Sequence, residues 1–368
     1  MNPTLRLTQT FHLFAILAIC GMSLGCGPEA PASDPAPSAD PATDPTTDPA
    51  PATDEMAALP EIPLGLPKLE IPDNNPMTAE KVELGKLLYF DKRLSKDGTI
   101  SCATCHDPTM GWAEEDVTSI GIKEQVGTRN SPTVINSAYA TSQFWDGREP
   151  TLEAQALGPI ENPIEMGHSL PELVKELNEI AGYKERFQKV FGTDVTSDGI
   201  AKAIAAFERT VLSGNSAWDK YQAGDKTALN EQEIRGMELF NQAECATCHA
   251  PPVFSNFRFY NAGVGSDLAE PDSGRQQATD NERDFGKFRV PTLRDITDTG
   301  PYFHNGSEAS LEEAVRLMAT GGVDNPKLSA LFRGLQGREY TDEQIADLVA
   351  FLGALSGEYP VIEEPELP

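Results

Sequence analysis

Histidine, cysteine and positive charge are all scarce in this chain. Its 368 residues hold five histidines and six cysteines, and 29 basic residues stand against 57 acidic ones, a formal charge of -28. That surplus excludes nucleic acid and anionic membranes as natural partners, because both are polyanions. It attracts a basic partner instead and speeds the encounter at low salt. No stretch alternates apolar and polar residues over a useful length, which excludes a sheet-based core. The apolar run from Phe11 to Cys20, behind Arg6, is too short to span a bilayer and suits the core of a signal peptide.

Residues 1–26 therefore read as an export signal. Cys26 follows Ser23-Leu24-Gly25, which resembles the cleavage box of a bacterial lipoprotein with Ser and Leu in reversed order. Cys26 is thus a candidate lipid anchor, with simple cleavage and release as the alternative. Residues 27–58 are built from Pro, Ala, Asp, Thr and Ser. With nothing apolar to bury and charge of one sign, they read as a disordered tether. The location implied is periplasm or cell envelope, lipid-anchored if Cys26 is modified.

From about Leu59 onward the apolar spacing is helical. Ser169-Leu-Pro-Glu172 has the form of a capping box ahead of Leu173, Val174 and Leu177. Ile200, Ile204, Phe207 and Val211 form a stripe, and Ser310 and Thr341 each stand three residues before a Glu or Gln that can complete a cap. The fold class is all-α. One unit occurs twice, "LGKLLYF…CATCH" near residue 84 and "RGMELF…CATCH" near residue 235, so two homologous domains are expected, 59–222 and 223–368. They should be cytochrome c-like and packed across a shared interface.

Four cysteines lie in Cys102-Ala-Thr-Cys105-His106 and Cys245-Ala-Thr-Cys248-His249. Two thiols at that spacing can form thioethers to the vinyl groups of a haem, and the next histidine is placed to bind its iron. A redox dithiol would not need the histidine and expects a βαβ setting. A zinc site would need a fourth ligand close to each motif, and none is there. The reading is two covalently bound c-type haems. A methionine on the far side of an iron suits electron transfer, whereas an open face admits peroxide.

The chain resembles the bacterial di-haem cytochrome c peroxidases and the related MauG-type enzymes. The resemblance runs from about Leu84 to Leu355, and "GTRNSPTVINSAY", "FWDGREPTLEAQALGPIENPIEMG" and "VPTLRDITDTGPYFHNGS" carry it. It implies reduction of hydrogen peroxide with electrons from a small cytochrome c or cupredoxin. It implies that Glu165 is the acid–base residue at the first haem, with Gln155 and Pro159 lining the same pocket. Taken alone, Glu165 would read as a solvated loop carboxylate. Trp145 matches a tryptophan between the two haems, and packing at the interface is its other reading. Met318 matches the axial ligand of the second haem, where its own helical context suggests a core methionine. MauG-type enzymes have a tyrosine there. Asn130 with the carbonyls of Thr299 and Pro301 match a calcium site, and family members are often homodimers.

One departure matters. Many family members carry a histidine before "RNSPT" that blocks the first iron until reduction releases it. Here Ile122 stands in that place, and no histidine occurs between His106 and His168. The first haem is therefore expected to be five-coordinate or water-bound when fully oxidised, without reductive activation. His168 reads as a pocket or loop residue, and His304 as a hydrogen-bonding residue near the second haem.

Overall fold

The computed structural model describes residues 61–368, so the signal, Cys26 and the tether through residue 58 lie outside the described residues. Among those described, eight helices have nine residues or more: α1 (Ala79–Phe90), α2 (Leu152–Glu161), α3 (Leu170–Asn178), α4 (Ala181–Phe191), α5 (Ser197–Glu208), α6 (Glu231–Gln242), α7 (Leu311–Ala319) and α8 (Asp342–Gly353). Sheet is confined to one antiparallel pair of two-residue strands, Phe259–Tyr260 and Phe288–Arg289, with Phe259 opposite Arg289. The all-α class holds. No helix among the described residues is long and apolar enough to cross a membrane.

Two helix crossings build two cores. α1 packs on α5, and α6 packs on α8. Each crossing is closed by the glycine of the repeat. A Cβ on Gly85 would lie 1.9 Å from the Ala203 carbonyl oxygen, and one on Gly236 would lie 1.9 Å from that of Asp347. Only a residue with no Cβ lets the backbones approach so closely. The aromatic contacts repeat as well. Tyr89 meets Phe207 edge-on at 5.1 Å, as Phe240 meets Phe351 at 5.2 Å. Trp112 and Phe254 take the third corner of each cluster, 5.9 and 6.3 Å from those phenylalanines.

The repeat extends beyond its sequence signature. Asn136 and Asp295 both take a left-handed conformation (φ 58° and 57°), as do Phe144 and Phe303 (65° and 70°). The Gln143 amide donates to Glu149 O at 2.7 Å and the Tyr302 amide to Glu308 O at 2.8 Å. Thr151 caps α2 and Ser310 caps α7 through their side chains. All these pairs share one gap-free register, so α2 and α7 are the same structural helix in the two halves.

The caps at Ser310 and Thr341 form as expected, Thr341 and Gln344 as a reciprocal pair. Ser169 differs: it stands at the N-cap of α3 without a side-chain cap bond. Pro171 removes one of the N–H groups that such a cap takes.

Packing also crosses the expected junction. Trp218, ahead of residue 223, stacks edge-on against Phe254 of the second core at 4.8 Å. The chain end returns to the first core, where Trp112 Nε1 donates to Pro360 O at 2.8 Å and Tyr359, Ile362 and Leu367 pack. A fully buried ion pair, Arg294 with Asp219 at 2.8 Å, pins the intervening segment.

Gly85→Ala and Gly236→Ala each place a methyl against backbone that cannot turn aside. Each is expected to cost about 1–3 kcal/mol, seen as a lower Tm by circular dichroism. An unchanged Tm for both would remove the close crossing as a constraint.

Candidate functional site

Both Cys-x-x-Cys-His motifs sit on short helical turns, Cys102–Cys105 and Cys245–Thr247. No disulfide joins the four cysteines. Burial is the main force on each and pushes them up, Cys105 to about 12 and Cys245 to about 11. A redox dithiol needs the opposite, a depressed thiol pKa. No group of three His, Cys, Asp or Glu side chains able to hold a metal ion occurs among the described residues, so a zinc site has no support there.

The two histidines are set in matching ways. His249 Nδ1 lies 3.1 Å from Phe254 O, the geometry for an N–H donated to that carbonyl. His106 is faced by the carbonyls of Trp112 and Pro132, although its Nδ1 falls outside hydrogen-bond geometry. Burial brings both rings down to about 4, so both are neutral at pH 7 and Nε2 is left as a ligand atom. Both rings line one connected cavity of about 1090 Å³, at the top of the roughly 300–1,000 Å³ usual for a small-molecule site. Paired thiols, neutral histidines and this volume fit two covalent haems.

The cavity gathers the remaining candidates. Gln155, Pro159 and Glu165 line it from α2 and the loop after it, Trp145 from the loop before α2, and Met318 from α7 beside Leu311, Ala314 and Val315. Asn162, at the C-cap of α2, donates from Nδ2 to Glu165 Oε1 at 2.6 Å. Burial raises the Glu165 pKa, opposed first by the charge of Arg148 and then by this hydrogen bond. Such a carboxyl is better matched to accept and return a proton near neutrality than an ordinary glutamate. In the register shared by α2 and α7, Pro159 stands where Met318 stands. One position offers a thioether and the other no donor atom.

The two halves meet along a reciprocal seam. The Asn130 amide donates to His304 O at 2.8 Å, and the Arg289 amide donates to Trp145 O at 2.7 Å. These are the same bond twice, because Asn130 pairs with Arg289 and Trp145 with His304 in the repeat register. Trp145 Nε1 also donates to Asn130 O at 2.8 Å, and the ring is nearly buried. Asn130, Thr299 and Pro301 line the same cavity. A cation there would rest on amide and carbonyl oxygens, which calcium accepts.

The sequence profile described as di-haem cytochrome c peroxidase matches residues 79–227, and that of cytochrome c matches residues 233–356. The cytochrome c551 peroxidase of Nitrosomonas europaea is 43% identical over 80% of this chain and 85% of its own length. The chain belongs to the di-haem cytochrome c peroxidase family. It is an enzyme of that peroxidase family and carries haem c. The methylamine utilization protein MauG of Methylorubrum extorquens is 37% identical over 81% of this chain and 84% of its own. A crystal structure of a MauG-like protein associated with microbial copper homeostasis shares 34% identity and a TM-score of 0.73, over 81% of this chain and 95% of that one.

Three further residues flank this site. His168 is buried but turns away from the cavity, with Nε2 3.1 Å from Glu176 of α3. His304 lies on the cavity wall, yet its ring stacks on Phe288 at 3.5 Å and 12° instead of hydrogen bonding. Ile122 is buried, and its amide donates to Glu165 O at 2.8 Å, so its loop braces the Glu165 segment.

Glu208 and Arg289, also on the cavity wall, escaped the sequence reading. Glu208 follows Phe207 on α5 where the second half has Leu352 on α8, so aligning the helices of the repeat would have found it. Its Oε2 is buried without a partner, and burial raises its pKa to about 8. The folded protein keeps this proton up to about pH 8, while the unfolded chain releases it near the ordinary value of 4.5. Stability is therefore lost as pH rises between those limits, at up to about 1.4 kcal/mol per pH unit. Glu208→Gln should match the wild type near pH 5 and melt higher by pH 8. Parallel Tm curves for the two proteins would show that Glu208 does not titrate in this window.

Proposed function

We propose that this enzyme reduces hydrogen peroxide to two waters, using two protons and two electrons from a small basic cytochrome c or cupredoxin. Its first haem needs no reductive activation. The observation that carries this reading is the pairing of Pro159 with Met318. One haem site has a sulfur ligand available and the other has a pocket with a buried acid in its place. When bound, haem supplies the iron through which electrons reach peroxide.

The remaining roles fall to side chains. His106 and His249 hold the irons, and the paired cysteines fix the porphyrins. Met318 closes the second site, which suits it to receive electrons. Trp145 lies between the halves as their relay toward the first site. Glu165 takes a proton from one peroxide oxygen and returns it to the other, which becomes the leaving water. Asn162 orients that carboxyl, and Gln155 and Pro159 shape the space around it. Asn130, Thr299 and Pro301 would hold a calcium between the halves.

The charge of -28 supports a basic donor, whose encounter should slow as salt rises. The signal-like residues 1–26 and the haem-attachment motifs support export to the periplasm or cell envelope, with Cys26 as a lipid anchor. A homodimer fits the family. A second reading, a MauG-like oxidase acting on a protein or small molecule, is favoured by Ile122 in the place of the blocking histidine. Met318 in place of tyrosine weighs against it.

With a reduced basic cytochrome c as donor, Glu165→Gln should slow steady-state peroxide consumption by about 10²–10⁴. Undiminished turnover would remove Glu165 from the proton transfer. The EPR spectrum of the fully oxidised protein should contain one low-spin haem and one high-spin haem. Two low-spin, six-coordinate haems would instead require an activation step.

A further inference from the structure

Glu208 and Leu352 hold the same place in the two halves, each one residue after the phenylalanine at its helix crossing, and both line the cavity. The second half shows that the fold accepts an uncharged residue there. Glu208 nevertheless puts a carboxyl on the wall that is only 6% exposed, with Oε2 bonded to no group among the described residues. Such an acid is unfavourable in its ionised form. It belongs to the first site: its charge adds to burial in raising the Cys102 thiol, and it acts on neither cysteine of the second motif.

Few groups of the chain bear on it. Burial is the main force, Arg209 beside it on α5 opposes burial, and Glu153 of α2 adds to it. Those two pair with each other at 2.8 Å, and Lys81 of α1 bears on that pair. Tyr89 of α1 is pushed well above its ordinary value by burial and stays neutral. Cys102 has no proton to exchange once it forms a thioether. α3 meets α5 through uncharged core residues, Leu173 and Leu177 among them. The largest change of charge that Glu208 meets is then that of the haem. A ferric porphyrin core carries one net positive charge and a ferrous core none, and a buried group feels that difference with little screening.

We propose that Glu208 is the proton partner of the first haem, taking one proton from solvent when one electron reaches that haem and releasing it when the electron leaves. The carboxylate becomes a carboxylic acid, so the charge of the cavity is unchanged by the electron. Without a cation beside it Glu208 keeps its proton up to about pH 8. A ferric core lowers that limit, so the coupling operates below pH 8. The inference rests on the presence of haem c and not on the peroxide chemistry.

The test is a redox titration of the full-length, two-haem protein at pH values on both sides of 8, with each haem followed separately by optical and EPR spectra. Below pH 8 the reduction equilibrium constant of the first haem should fall by up to tenfold per pH unit, ~59 mV for one electron and one proton, and level off above. Glu208→Gln, and Glu208→Leu with the smaller charge-free side chain of the other half, should lose that slope while the second haem keeps its own curve. The same first-haem slope in wild type and Glu208→Gln would overturn the proposal, as would a change of slope in both haems together. Should both variants lose haem, infrared difference spectra of the native chain decide. Reduction below pH 8 should produce a carboxylic-acid C=O band that shifts in D2O and survives Glu165→Gln. Its absence, or its loss in Glu165→Gln, would sink the idea. Neither peroxide nor donor enters these measurements, so their failure leaves the peroxidase reading intact.

Discussion

The seam between the halves constrains everything else in this molecule. Two backbone bonds, Asn130 to His304 and Arg289 to Trp145, are one interaction used twice around an approximate internal two-fold. Each half alone is a close helix crossing with a haem-attachment turn beside it. Histidines from both turns line a single cavity, and Trp145 lines it at the seam. Buried backbone donors and acceptors must be paired, and here each half supplies the partner that the other lacks. That mutual need sets how the two haem-attachment turns are placed relative to one another.

Function arises where this near-symmetry is broken. Pro159 stands on α2 where α7 carries Met318, so only one of the two helices offers a sulfur at that position. Glu165 brings a carboxyl to the cavity wall, and burial raises its pKa. Glu208 in place of Leu352 and Arg289 in place of Asn130 add a carboxyl and a cation to the cavity wall. Each change keeps the backbone and alters only the chemistry of the cavity wall.

Much of the site was legible in the sequence because its chemistry is local. A haem attachment needs two thiols and a histidine within five consecutive residues. The helical class was legible for the same reason: Ile200, Ile204 and Phe207 declare a buried face without knowing what covers it. Ser169 shows the limit of local pattern, since a proline two residues on changes which donors exist. His304 shows another. Its ring stacks on Phe288 instead of hydrogen bonding, a contact that no local pattern around His304 announces.

By itself, the sequence determined the haem-attachment chemistry, the helical class and the duplication, since each depends on residues close together in the chain. Only the tertiary structure decided which residues share a wall. Glu165 and Met318 reach one cavity, while His168, three residues beyond Glu165, turns to Glu176. Glu208 proved to be a buried cavity acid with one oxygen unpartnered among the described residues, a fact about its surroundings that no local pattern encodes. Contacts among distant segments are set by the crossings at Gly85 and Gly236 and by the seam, and those exist only once the chain has closed on itself.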